Sequence, residues 1–106
     1  MNNETAKPLP DADAIRDLLR RVIDPEAGLN IVDLGLVYRV DAGADGVLIE
    51  MTMTSPACPL GEMITDEVKD VLARTLPSCK TEVRLVWQPP WRQSMMSEAG
   101  KRHFGW

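Results

Sequence analysis

The sequence predicts an α+β fold of two layers, in the order α-β-β-α-β followed by a C-terminal tail. Two helices pack on one face of a small three-stranded mixed sheet. Three observations predict it. Apolar residues recur at helical spacing twice, through Ile15, Leu18, Leu19, Val22 and Ile23, then through Leu60, Ile64, Val68, Val71, Leu72 and Leu76. Val47, Ile49, Met51 and Met53 recur at every second position, with Glu50, Thr52 and Thr54 on the opposite face, the pattern of a half-buried strand. The last strand follows a helix, so it is expected to lie parallel to its sheet neighbour through a right-handed crossover.

Residues 1–10 are polar, contain Pro8 and Pro10 and show no periodicity, which reads as a mobile N-terminal tail. Residues 11–106 form the single domain. Asp11 or Asp13 caps the first helix, and Asp24-Pro25 ends it, because the residue before proline is pushed out of the helical region. The breakers between Asp24 and Asn30 make a loop, and Ile31 to Gly35 leads out of it. Leu36, Tyr38 and Val40 alternate with Val37, Arg39 and Asp41 as the first strand, and Ala42 to Gly46 is a tight hairpin connection.

Pro59 fits the first position of the second helix, where its missing N–H costs nothing, and this makes Cys58 the N-cap. Pro77-Ser78 stops that helix. Lys80 to Trp87 reads as the third strand, with Val83, Leu85 and Trp87 facing one way. Residues 88–106 are a Pro/Trp-rich tail: Pro89-Pro90 cannot occupy a central strand, and Ser94 to Arg102 holds one or two helical turns broken at Gly100. The sheet face bearing Val37, Leu48, Thr52 and Val86 is expected to be partly covered by this tail or by a second subunit.

Composition narrows the function classes. The 106 residues are 44% hydrophobic and 26% charged, enough for one small core, and no apolar run is long enough to span a membrane. A formal net charge of −4 argues against a nucleic-acid binder, since phosphate-backbone partners select basic surfaces. The N-terminus shows no basic-then-apolar leader, so the expected location is cytoplasmic. Cys58 and Cys79 match no zinc or C-x-x-C spacing, and in a reducing compartment both thiols are expected to be free.

Chemistry concentrates around Cys58. A helix N-terminus carries about half a positive charge and lowers a thiol's pKa from its usual value of about 8.5. The competing reading is a small buried hydrophobe, the common fate of a free cysteine; spacing alone does not separate the two. Thr54 and Ser55 are close in sequence, while Asp24, Glu26 and Asp33 sit in the loop that enters the sheet. Taken singly, each has an ordinary role in a turn or cap. Together, carboxylates beside a thiolate would oppose its ionisation, and a bound cation held by Cys58, Asp33 and Glu26 would reconcile them. One cysteine per chain cannot hold an Fe–S cluster alone, so a cluster would bridge two chains or be completed by a partner. His103 is read as a surface residue. Trp87, Trp91 and Trp106, with Met95 and Met96, suggest a packed tail or an interface.

Four segments carry a resemblance: Asp24-Pro25-Glu26, Asn30 to Tyr38, Met51 to Leu60, and Pro89-Pro90-Trp91. In order and spacing the chain resembles, from about Ile15 to Trp106, the metal–sulfur cluster biosynthesis family of SufT-like and PaaD-like proteins and the eukaryotic cytosolic Fe–S targeting subunit. The resemblance implies a small, often dimeric α+β domain that helps mature Fe–S proteins without turning over a metabolite. It implies that Cys58 is the functional cysteine, with Asp24, Glu26, Asp33, Thr54 and Ser55 as its polar surroundings. Iron or an Fe–S cluster would be transient or bridging cargo, and the partners would be Fe–S assembly machinery or client proteins. The expected function is therefore an accessory factor in Fe–S cluster assembly or transfer. One alternative is a PaaD-like subunit of a multicomponent aromatic (phenylacetyl-CoA) oxygenase, against which stands the lack of a cysteine-rich extension before the sequence ends at Trp106. Another is a thiol-dependent enzyme, for which the sequence offers neither a histidine base nor a resolving cysteine.

Overall fold

A computed structural model describes residues 11–43, 46–55, 60–77 and 79–105. The sequence expectations for residues 1–10, for Cys58 and Pro59, and for Trp106 lie outside this set. Helix α1 spans Ala12–Leu19 and is capped by Asp11, whose carboxylate accepts the Ala14 N–H at 2.9 Å. It ends earlier than its apolar stripe suggested. Val22 enters the core from the following turn, whereas Ile23 is 45% exposed and begins β1 (Ile23–Asp24). β1 pairs antiparallel with β2 (Leu29–Asn30), a two-residue ribbon where the sequence suggested a bare loop. The proline at position 25 requires an extended residue before it, so the chain must leave the helix in time to straighten. Gly28, at φ +68°, closes the turn by donating its N–H to the Asp24 carbonyl at 2.8 Å.

The main sheet has the order β3-β4-β5. β3 (Val37–Gly43) and β4 (Gly46–Met51) pair antiparallel up to Gly43 opposite Gly46, so the hairpin connection is as tight as its composition implied. β5 (Thr81–Leu85) lies parallel to β4, as the crossover demands. Helix α2 (Gly61–Thr75) makes that crossover. Leu60 stands at the N-cap position, and no side chain caps the helix there.

Helix α1 packs on β3, α2 packs on β5, and the two helices touch, so both cover one sheet face. The core between the layers joins Ile15 and Leu19 of α1, Ile64, Val68 and Leu72 of α2, and Val47, Ile49 and Met51 of β4, with Met53 just beyond it. β5 is shorter than expected; Leu85 and Trp87 are 40% and 39% exposed, so only Val83 of that apolar set packs against the core.

The tail folds back. A 3-10 turn at Gln93–Met95 precedes helix α3 (Glu98–His103), which runs through Gly100 without a break. Gly100 is there because of a close approach: a Cβ at this position would lie 2.5 Å from the Asp33 carbonyl oxygen. Trp91 Nε1 donates to the Leu34 carbonyl at 2.7 Å, and the Tyr38 hydroxyl donates to the Pro89 carbonyl at 2.6 Å. Thr52 projects from the sheet face opposite Met51, yet it is fully buried. The tail therefore covers one end of that outer face, while Arg39, Asp41, Glu82 and Arg84 leave the remainder charged and exposed.

This docking predicts an inverted response at Gly100. In an isolated helix Gly→Ala gains about 1 kcal/mol. Here Gly100→Ala should destabilise the protein in chemical denaturation, because a rigid backbone contact costs about 1–3 kcal/mol. An alanine variant more stable than the parent would contradict the docked tail.

Candidate functional site

A cavity of about 260 Å³ lies where the β1–β2 turn, the residues after β4 and the tail meet. Its polar margin is Asp24, Glu26 and Thr54, and its apolar wall is Leu34, Trp91, Met96 and Phe104. The structure thus brings together three of the sequence-predicted polar residues, which are 30 positions apart at the extremes. Asp24 is 3% exposed, and its Oδ1 accepts the N–H groups of Glu26 at 2.9 Å and Ala27 at 3.4 Å. That bonding shapes the turn and holds Glu26 at the rim, where its carboxylate is exposed. Thr54 is half-buried and Ser55 exposed.

Asp33 does not line this cavity. Its Oδ2 accepts the Asn30 amide at 2.8 Å, its Oδ1 accepts the Ser97 hydroxyl at 2.8 Å, and Arg20 Nε stands 3.8 Å from Oδ1. Ser97 in turn accepts the Gly100 N–H at 3.0 Å as the N-cap of α3, and its own N–H donates to the Asp33 carbonyl at 2.9 Å. Asn30 Oδ1 accepts the Val32 and Asp33 N–H groups at 3.1 and 2.9 Å. One carboxylate thus joins the end of α1, the loop after β2 and the start of α3. Burial opposes its charge, but the hydrogen bonds from Asn30 and Ser97 and the charge of Arg20 outweigh it and hold the carboxyl below its usual range.

The suggested contact residues are distributed differently. Met96 is 4% exposed and packs in the chain's own core, Trp91 is half-buried and hydrogen-bonded, Met95 is half-buried beside the Tyr38 hydroxyl, and Trp87 is exposed. Cys79 is half-buried with a free thiol. Among the described residues, no group of three His, Cys, Asp or Glu side chains is placed to hold a metal ion. Residues that sequence reasoning missed are Leu34 and Phe104 in the cavity wall and Arg20, Asn30 and Ser97 around Asp33. The spacing Asn30-x-x-Asp33 and the cap spacing Ser97-x-x-Gly100 were local signals for the last two; nothing local links Asp33 to Ser97.

The Asp33 clamp has a definite pH signature. A carboxyl whose folded-state pKa is depressed stabilises the fold fully above its unfolded pKa of about 4, and the contribution is lost as pH falls through the lower folded value. Asp33→Asn should cost about 1–2 kcal/mol at pH 7, since an amide cannot accept on both sides. The gap between parent and variant should close as denaturation is repeated below about pH 4. Equal stability at pH 7 would contradict the clamp.

A family model described as iron–sulfur cluster assembly protein matches residues 12–85. The Fe-S protein maturation auxiliary factor SufT of Staphylococcus aureus (strain USA300) is 51% identical over 85 residues, covering 79% of this chain and 97% of that protein. The Fe-S protein maturation auxiliary factor YitW of Bacillus subtilis (strain 168) is 52% identical over 93 residues, covering 86% and 90%. The crystal structure of a domain of unknown function, DUF59, from Bacillus anthracis matches with a TM-score of 0.83 at 43% identity, over 89% of this chain and 91% of that one. The α+β architecture and the matches along nearly its whole length agree: the chain belongs to the iron–sulfur cluster assembly protein family.

Proposed function

We infer that this protein is an accessory factor in the assembly of iron–sulfur clusters or their transfer to client proteins, acting through Cys58 and turning over no metabolite. Family membership supports the cluster chemistry, and the names of the two bacterial relatives support an auxiliary role. The observation that carries the site is the convergence of Asp24, Glu26 and Thr54 on one cavity. Thr54, on the margin of that cavity, stands four residues before Cys58 in the sequence.

In this reading Cys58 supplies the soft thiolate that iron prefers, and Glu26 supplies a hard carboxylate at the rim. Asp24 holds the turn that presents Glu26. Asp33 contributes by fixing the tail, whose Trp91, Met96 and Phe104 wall the cavity and keep it apolar. Iron or a cluster is cargo, and with one such thiol per chain, two copies or a copy and a client share it. The protein works in the cytoplasm as a homodimer with Fe–S machinery or clients as partners.

The test separates chemistry from folding. Cys58→Ser should leave the protein folded, as denaturation beside the parent would show, since one side-chain atom is exchanged and the N-cap position of α2 belongs to Leu60. It should nevertheless fail to restore Fe–S enzyme activity in a strain lacking the native copy. Full activity with the serine variant would overturn the assignment of Cys58.

A further inference from the structure

We propose that the open edge of β5 is a self-association surface, and that two copies of this chain join there, antiparallel, into one continuous six-stranded sheet with the twofold axis at Val83. The proposal rests on the homodimer reading above and deepens it by naming the surface.

The first observation is which backbone groups are free. At one end of the β4–β5 ladder the Val47 N–H donates to the Lys80 carbonyl at 2.8 Å, and at the other the Val86 N–H donates to the Met51 carbonyl at 2.7 Å. Both β5-side partners are even-numbered, so Glu82 and Arg84 also direct their backbone groups toward β4, in the alternation of a parallel ladder. Thr81, Val83 and Leu85 therefore turn their N–H and C=O groups outward, and no described strand pairs with them. An unpaired edge of this kind is a template for another strand.

The second observation is that the edge is complementary to itself. With the axis at Val83, the opposed pairs are Thr81 with Leu85, Val83 with Val83, and Glu82 with Arg84. The three outward-facing residues fall on hydrogen-bonded positions, giving about six new backbone bonds. Glu82 and Arg84 fall on the non-hydrogen-bonded positions, where side chains approach most closely and an opposite-charge pair is favourable. Within one chain these two already pair at 2.6 Å, and both are more than half exposed. Antiparallel pairing places each Arg84 opposite the second copy's Glu82, so four charges of alternating sign meet on the outer face. Protected edges carry charge that repels a second copy; this edge carries charge that attracts one. On the helix face, Leu85 is 40% exposed beside a groove that it lines with Glu62, Asp66, Lys69 and Val83, and Trp87 is 39% exposed just past the strand. Pairing covers these apolar groups, which otherwise face water.

The test is sedimentation or light scattering of the full chain over a concentration series, with two charge reversals. Arg84→Glu places acid opposite acid at both pairs, and Glu82→Arg places base opposite base. Each should raise the dimer dissociation constant about tenfold or more. An equimolar mixture of the two variants should recover the parent's association, because the two bases of one chain then face the two acids of the other. Recovery also shows that both variants are folded. A parent that is monomeric throughout overturns both the homodimer and this surface. A dimer that survives both reversals, or that dissociates only when the chain is cut before Pro89, overturns the β5 surface and leaves the homodimer standing. A monomer that binds an extended client peptide along β5 would show the edge to be a docking strand for another protein and would equally overturn self-association.

Discussion

The structure depends on one carboxylate. Asp33 sits in a turn that has left regular structure, and its two oxygens gather Asn30, Ser97 and Arg20, three groups spread across the chain. Hydrogen bonds to a charged acceptor contribute about 1.5–3 kcal/mol each, where neutral ones contribute about half that. Domain stability as a whole is only about 5–15 kcal/mol, so a clamp of this kind decides whether the last turn of chain docks or frays. Because the docked tail supplies Trp91, Met96 and Phe104, the clamp also decides whether the cavity beside Asp24 and Glu26 has a wall. The half-buried aromatic rings and the buried Met96 thioether then make one side of the site apolar while its other side is polar.

In the proposed role, that asymmetry suits cargo that must be held and then released. In that role, a hard carboxylate from Glu26 and a soft thiolate from Cys58 would offer iron a mixed and incomplete ligand set, which favours handing on over permanent storage. Asp24 is 3% exposed, and its Oδ1 accepts the Glu26 and Ala27 amides, so this carboxylate shapes the turn. Glu26 has no such engagement among the bonds that shape the turn and projects at the margin. The sheet contributes a different property at its open edge: β5 leaves a row of backbone groups and an opposite-charge pair at the surface.

Much of this was legible in the sequence because it follows from local periodicity. The stripes Ile15–Leu19 and Ile64–Val68–Val71–Leu72 bury as expected, β4 alternates as written, and the parallel placement of β5 follows from connection handedness. What escaped has two physical origins. The β1–β2 ribbon has two residues per strand, too short for any period to register, and it took Ile23 out of the helical stripe to which its spacing assigned it. The tail's docking is decided by pairs 57 and 64 positions apart, Trp91 with Leu34 and Ser97 with Asp33, and no local pattern encodes them. Gly100 shows the consequence: read locally it breaks a helix, and read in the fold it is the residue that lets α3 reach the Asp33 carbonyl. In the candidate site, the residues themselves were legible as a polar set, but their division into rim, turn and clamp was not, because it depends on which oxygen finds which amide.

The central claim is that Cys58 handles iron–sulfur cargo. The most direct measurement is anaerobic incubation of the parent and of Cys58→Ser with ferric iron, excess thiol and sulfide, followed by desalting and determination of iron and acid-labile sulfide per chain. The account predicts that the parent retains both, with a visible charge-transfer absorbance, and that the folded serine variant retains neither. Equal retention by the two proteins would contradict it.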